Sequence, residues 1–447
     1  AQTVDECYEN DAGGPVRIKD PEGKRVLKGQ RGRITKIGKK ELSLFARILD
    51  GGGDWRSARL MSLYAGELLD ILRCFDRQRK KLAGLGRRLA VSMLWDETNA
   101  QKDGTIIRDV RFGPLAETIL SGAHIGTANP LFNCSNRNCG GNNDNTSVDL
   151  AMIPGDYIQR TNYSPSCPAE EYQRRAPTTS WGTKYTQEYR LACRKMVDIE
   201  GERTLMAALI PPQMGHTNGI IGFAFAREQT LLMALGAFCS LPYDFFIKVC
   251  GKGNLQMNTA GMLPLLDQKH PLAVELMCRA ALLNCLTEHY APFWGRVYEE
   301  GFQRAGWSRE DPRLDPGRFR RLSRAWGMDT PLRTAYARRQ ALVELDVLAA
   351  MMLGMTLEQL LSAYRIQFPT LQQHERDTYY DAAGQIVYAK NHALTGVGVK
   401  RQEFEQEMKG APAGQTFRRV VAEDVLPGGP VEREVAYTAP FDRCDRE

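Results

Sequence analysis

The chain has 447 residues, 43% hydrophobic and 25% charged, with 59 Lys+Arg against 53 Asp+Glu and a formal charge of +6. These are ordinary globular proportions, too long for one hydrophobic core, and they exclude collagen-like and small disulfide-scaffold classes. No run of about 18 apolar residues is present to span a membrane, and the opening AQTVDECYEN has neither the basic nor the apolar region of a signal peptide.

In chain order, residues 16–40 come first. They carry ten basic side chains, among them Arg17, Lys19, Lys24, Arg25, Arg31 and Arg33, against Asp20 and Glu22. Gly23, Gly29, Gly32 and Gly38 interrupt the run, which predicts a basic hairpin or mobile arm rather than a helix. Residues 42–49 have helical apolar spacing, and Asp50-Gly-Gly-Gly-Asp54 predicts a break. Residues 55–75 then place Leu60, Leu63, Tyr64, Leu68, Ile71 and Leu72 at helix-like intervals. A second basic cluster, Arg77, Arg79, Lys80, Lys81, Arg87 and Arg88, follows. Residues 96–185 are rich in Gly, Asn and Pro, which predicts loop-rich β structure, with strands at 105–110 and 219–225 in or just beyond it.

Helices are predicted at 231–240, 272–289, 292–304 and 332–353. Gly354 stops the last, Thr356 caps another at 357–366, and Phe368-Pro369 closes that one. A third cluster, rich in arginine and including Arg320 and Arg321, spans 304–339. The stripe Leu342, Leu345, Leu348, Ala349 and Met352 reads as core. YYDAAGQIVYA at 379–389 reads as strand, turn, strand, and the polar tail beyond Gly396 as a surface wrap or a partly mobile end. The fold class expected is α+β: an arm with helices (1–95), a loop-rich α+β region (96–265), a helical region (266–370), and a C-terminal hairpin and tail (371–447).

Three basic clusters in separate regions suit a polyanion, because each neutralised phosphate releases counterions; solvated helix faces are the other reading of any one cluster. Nucleotide and hydrolase motifs are missing. Gly251-Lys252-Gly253-Asn254 lacks the hydroxyl residue and spacing of a P-loop, Gly51-Gly52-Gly53 is no dinucleotide fingerprint, and there is no G-x-S-x-G. Cys134, Cys139 and Cys167 with His124 do not bring the two tight pairs of a structural zinc site, so loop or core thiols are expected and no metal is assigned. His216 and His289 read as structural. Eleven cysteines, several in apolar runs, point to reduced thiols in a cytoplasmic protein. Asn129-Pro130-Leu131-Phe132 is the one near match to the Asn-Pro-Pro-aromatic grip of an adenine methylase, and Leu131 breaks it.

An ordered series of short motifs nevertheless carries a resemblance. It comprises WDETNAQKDGTI at 95–106, Ser121-Gly-Ala-His124, Asn129-Pro-Leu131, Val148-Asp-Leu150, Pro154-Gly-Asp-Tyr157, Arg160-Thr-Asn-Tyr163, YRLACR at 189–194, GERTL at 201–205 and LIPP at 209–212. It continues through SLPYDF at 240–245, Lys248, Gly251-Lys252, YRIQFP at 364–369, Tyr380-Asp381, GQIV at 384–387 and CDRE at 444–447. In these residues, from about 90 to 447, the chain resembles the downstream half of large bacterial adenine-specific DNA methyltransferases: the type IIG restriction–modification and phage-defence methylases, including those of DISARM and BREX.

The resemblance implies a target-recognition and spacer region that reads duplex DNA, with adenine-N6 methylation done by a separate Rossmann-like domain. No cofactor is assigned to this chain; S-adenosylmethionine is expected in the associated catalytic domain. The implied partners are double-stranded DNA, that methylase domain and other defence-system subunits, with no membrane. The missing catalytic motifs and the absence of an initial Met predict a part of a larger protein or a split subunit, with no catalytic residues of its own. The alternative is a non-catalytic structural or interaction subunit of a defence complex. For base reading, Arg160, Asn162 and Tyr163 offer bidentate and stacking groups, or else pack a loop onto the core. Lys248, Lys252 and Asn254 flank a glycine turn after an apolar strand and suit a phosphate, or else form a plain turn. Arg190, Arg194 and Arg203 are expected to anchor acidic partners inside the fold.

Overall fold

A computed structural model describes residues 16–20, 24–142, 144–389, 399–444 and 446. Cys7, Glu22, Gly23, Gly396 and Glu447 lie outside the described residues.

Helix α1 (Lys39–Asp50) forms where expected. Glu41 accepts the Gly38 N–H at 2.9 Å to fix its start, and Gly51 at φ +70 ends it in the left-handed conformation that glycine adopts without a Cβ clash. Leu44, Phe45, Ile48 and Leu49 form its buried face. The helix expected over 55–75 is mostly absent. A 3-10 turn (Trp55–Ser57) precedes an extended stretch, and a second (Gly66–Leu68) leads into helix α2, which covers only Leu69–Asp76. The extended stretch is held from far along the chain: the Ser62 N–H donates to the Val249 carbonyl at 2.7 Å, leaving Leu60 68% exposed.

Strand β1 (Leu89–Ser92) belongs to the central sheet, whereas β2 (Ile106–Arg111) and β3 (Thr161–Pro165) pair with each other outside it. Strands β4 (Arg190–Arg194), β5 (Ala207–Ile210) and β6 (Ile220–Phe225) complete a four-stranded antiparallel sheet in the order β1-β6-β4-β5. Its register pairs Leu89 with Phe225, Ile221 with Cys193 and Arg190 with Ile210. Every residue of β6 is buried, as expected of an inner strand covered on both faces.

Helix α3 (Glu228–Phe238) lies against this sheet, with Phe238 edge-on to Phe223 at 6.1 Å. Helix α4 (Leu241–Val249), opened by Pro242, is the segment expected as an apolar strand. It is buried along its whole length, and a short apolar run buried all round carries no periodicity to separate strand from helix. Helix α5 (Ala273–Asn284) packs beside α3. A Cβ on Gly236 would stand 2.3 Å from Leu276 Cδ2, so this glycine sets the helix spacing. Helix α6 (Ala291–Val297) ends before a 3-10 turn (Glu300–Arg304), so the helix expected over 292–304 is broken.

Helix α7 (Ala335–Met352) and helix α8 (Leu357–Gln367) follow, the latter with the Thr356–Gln359 capping box. Pro369 closes α8 and also starts α9 (Pro369–Arg376). The expected hairpin forms from β7 (Thr378–Tyr380) and β8 (Ile386–Ala389). The tail forms a second, longer hairpin, β9 (Thr416–Glu423) with β10 (Val431–Thr438), paired throughout. The class is therefore α+β with a C-terminal β-hairpin. Buried residues from all four expected segments, from Leu44 through Leu191 and Tyr336 to Cys444, share one apolar cluster.

Among the described residues no single helix is long and apolar enough to cross a membrane. The described cysteines are free thiols, mostly buried.

Candidate nucleic-acid interface

The basic arm folds back on itself. The Val26 N–H donates to the Ile18 carbonyl at 3.0 Å, the Asp20 N–H to the Lys24 carbonyl at 2.9 Å, and Lys19 faces Arg25 across an antiparallel bridge. Buried Gln30 accepts the Arg17 N–H at 3.1 Å. Polar contacts tie the arm to the body. The Lys19 ammonium donates to Thr370 Oγ1 at 3.4 Å, and Arg25 pairs with Glu200 at 3.2 Å with both side chains exposed.

This placement builds two adjoining grooves against α9. The larger, about 790 Å³, lies between residues 16–20, the end of α8, one side of α9, residues 442–444 and Arg446. Its cations are Arg17, Lys19, Arg365, Arg376, Arg443 and Arg446, against Asp20, Glu375 and Asp442. Two of those carboxylates are already engaged: Glu375 accepts from Arg446 at 2.6 Å, and Asp442 accepts from Arg313. Among the described residues, no carboxylate lies within ion-pair distance of Arg17, Lys19, Arg376 or Arg443. The Arg443 guanidinium instead lies 5.6 Å from the centre of the Tyr379 ring. The second groove, about 470 Å³, continues past Lys19 and Pro369 to Arg25, Arg33, Tyr64 and Lys248. Arg376 also sits in the last turn of α9, where the helix dipole favours a cation.

The expected binding residues divide sharply. Arg17, Lys19, Arg25 and Arg33 line the grooves, and Lys24 and Arg31 are exposed beside them. Arg79, Lys80, Lys252, Asn254 and Arg320 are exposed but line neither groove, and Arg321 pairs with Asp315.

The others face inward. Lys81 donates to the Phe75 carbonyl at 3.1 Å, and burial lowers its pKa. Arg160, 3% exposed, donates to the Ser135 carbonyl at 2.6 Å and pairs with Asp424 at 3.0 Å. The Asn162 amide donates to Asn142 at 2.8 Å, and the Tyr163 hydroxyl donates to Glu97, with burial raising its pKa. Lys248 donates to the Ile199 carbonyl at 2.6 Å and lies 5.1 Å from the Phe368 ring centre. Its pKa is lowered by burial, and the turn after it follows helix α4 rather than a strand. Buried donors already spent on internal acceptors cannot reach a base edge, so Arg160, Asn162, Tyr163, Lys81 and Lys248 hold the frame.

The anchoring arginines also need correction. Arg203 does meet acids, Asp244 at 3.3 Å and Asp346 at 3.7 Å. Arg190 and Arg194 instead hold carbonyls: Pro211 at 3.0 Å, and Ile125 at 2.7 Å. Burial holds His124 and His216 down to about 3, so both are neutral; Nε2 of His124 sits 2.9 Å from Ser135 Oγ. Among the described residues no group of three His, Cys, Asp or Glu side chains could hold a metal.

Sequence reasoning missed Arg365, Arg376 and Arg443. They stand far along the chain from the arm, outside any basic run, and only the packing of α8, α9 and the C-terminal segment against residues 16–20 assembles them. No family model matches the chain, and no curated protein matches it.

Proposed function

We propose that the chain binds duplex DNA through the groove between the arm, α9 and the C-terminal segment. In this reading it serves as the specificity and spacer region of an adenine-N6 DNA methyltransferase of bacterial restriction–modification or anti-phage defence. The observation that carries the binding half is the set Arg17, Lys19, Arg376 and Arg443: four cations on one groove, none with a carboxylate within ion-pair distance among the described residues. The methyltransferase half rests on the motif series from 95 to 447. Phosphate contacts in the groove would set orientation, and exposed Lys252 and Asn254 are the members of the glycine turn after α4 still able to reach a base. S-adenosylmethionine and the flipped adenine would belong to a catalytic domain beyond these residues.

Four phosphate contacts imply a slope of about −3.6 in log affinity against log salt, or roughly 150-fold weaker binding on going from about 50 to about 200 mM salt. Fluorescence anisotropy with a labelled duplex reads this directly, and a flat salt response or no binding would remove the proposal. A structural subunit that docks a defence partner is the second reading, favoured by exposed Val420 and Val431 on the β9–β10 hairpin. Under that reading duplex affinity is absent, while a partner protein protects the hairpin from proteolysis.

A further inference from the structure

On the far side of the Glu375–Arg446 pair lies a separate cavity of about 310 Å³. Its walls come from Asn129, Phe132, residues 147–151, the start of α7, one side of α9 and β8. The volume falls at the small end of ligand pockets. Part of the lining is apolar, with Phe132, Leu342, Leu371 and Ile386.

The charges lining it do not balance. Its carboxylates are each engaged: Asp149 by Arg433 at 2.6 Å, Glu202 by His374 at 2.6 Å, and Glu375 by Arg446 and by the Tyr364 hydroxyl at 2.5 Å. Arg333 and Arg338 also line the cavity and donate to carbonyls, Arg333 to the Met328 sulfur as well at 3.7 Å. Arg333 donates to Ile153 and Leu286, and Arg338 to Leu283, Leu332 and Ala128. Neither has a carboxylate within ion-pair distance among the described residues. Burial, aided by the like charge of Arg333, holds Arg338 down to about 9. Arg339, only 8% exposed, lines the same space, and its Nε has no acceptor. The N-terminus of α7, an 18-residue helix with no side-chain cap from Thr334, opens onto the cavity at Thr334 and Ala335.

A helix start without a side-chain cap, two guanidiniums with no carboxylate within ion-pair distance, the unpartnered Nε atoms of Arg333 and Arg339, and an apolar wall are together complementary to an anionic head on an apolar body. We infer that this cavity binds a small phosphate monoester with an aromatic or apolar body, its phosphate between the α7 N-terminus and Arg333 and Arg338. Such a group could arrive on a free mononucleotide or on the phosphorylated end of a strand. This goes beyond the duplex-binding reading and does not depend on it, since the two sites share only the Glu375–Arg446 wall.

The test is calorimetric titration of the whole chain with phenyl phosphate, AMP, adenosine, inorganic phosphate, and an oligonucleotide with or without a 5′ phosphate. Saturable binding of phenyl phosphate and AMP is expected, with adenosine at least about tenfold weaker. Preference for the 5′-phosphorylated strand over AMP would assign the strand end as the source, and the reverse preference the free nucleotide. Arg338→Met removes three carbonyl contacts and risks the fold. Thr334→Glu instead supplies the missing carboxylate at the helix start. It should leave the melting temperature unchanged or raised, abolish phenyl phosphate binding and leave duplex affinity intact. Absence of saturable phenyl phosphate binding to the natural chain up to about 10 mM, or undiminished binding by Thr334→Glu, overturns the inference.

Discussion

Replacing Arg446 with Met tests whether the C-terminal segment is locked to the body by one buried guanidinium. Arg446 reaches Asp346 on α7 and Glu375 on α9, the latter at 2.6 Å. Both carboxylates are largely buried. Removing one partner of such a pair costs about 3–5 kcal/mol, because a charge is left in a low-dielectric site. Here each carboxylate keeps some support. Asp346 still accepts the Leu241 N–H at 2.6 Å and has Arg203 at 3.7 Å; Glu375 keeps Tyr364 at 2.5 Å and Arg339 at 3.8 Å. The lower end, about 3 kcal/mol, is therefore expected, and Met fills most of the vacated volume.

The pH dependence has a definite sign. Burial already raises the Asp346 carboxyl above its ordinary 3.8, and Arg446 opposes that rise. Without Arg446 the folded-state value climbs further. A raised carboxyl contributes stability below its unfolded value and loses it as pH rises through the folded one, so the penalty should be small near pH 4 and largest at neutrality. Urea unfolding at several pH values reads both quantities, and a double-mutant cycle with Asp346→Asn isolates the pair. A cost below about 1 kcal/mol at neutral pH, the size of an exposed ion pair, or a cost independent of pH, would refute the lock.

Arg160→Met should cost about 1–3 kcal/mol by removing the donor to the Ser135 and Asp424 carbonyls, the Asp424 carboxylate keeping Arg137 at 2.6 Å, yet leave the salt slope of duplex binding unchanged; a shallower slope would return Arg160 to the interface. The paired change Arg376→Ala with Arg443→Ala should lower that slope by about 1.8 without altering urea stability, and an unchanged slope would place the phosphates elsewhere. Gly236→Ala forces a methyl towards Leu276 Cδ2 and should destabilise by about 1–3 kcal/mol; a neutral result in thermal unfolding would mean that α3 and α5 separate freely. Glu202 raises the His374 pKa above 6.5, mainly by its hydrogen bond. That contribution is complete below 6.5 and lost as pH rises through the folded value, so His374→Gln should flatten the stability curve on the neutral side; parallel curves for the two proteins would exclude the pair.

What was legible in the sequence was local. The glycine stop after α1, the Thr356 cap, the inner strand β6 and the β7–β8 hairpin each follow from residues adjacent in the chain. What was not legible depends on partners far away. Residues 58–64 have the spacing of a helix, but the Val249 carbonyl draws Ser62 into an extended path. LPYDFFIKV reads as a strand, and burial on all sides removes the pattern that would have marked α4. The β9–β10 hairpin hides its alternation because Val420 stands outward while Arg419, Glu423 and Arg433 take the covered side. The groove was half legible: the arm announces itself as a run, whereas Arg376 and Arg443 are single cations that only packing brings to it.

The charge itself has two physical origins that composition cannot separate. A loop-rich fold leaves many carbonyls outside any ladder, and each buried one needs a donor. A guanidinium offers five donors in a rigid fork and can serve several carbonyls at once, which an ammonium cannot do in the same geometry. Arg338 ties together the end of α5, the approach to α7 and the loop at Ala128; Arg333 joins Leu150 and Ile153 to Leu286; Arg190 joins Pro211 to Met214. These arginines do the work of missing secondary structure and line neither of the two grooves beside the arm. The arm is the opposite case: most of its cations are exposed, and their neighbours come from α8, α9, the C-terminal segment and the wall at Tyr64, Glu200 and Lys248. A net charge of +6 is therefore the sum of an internal scaffold and an external groove, and only variants that separate the two, such as Arg160→Met against Arg376→Ala with Arg443→Ala, can assign the affinity for DNA to one of them.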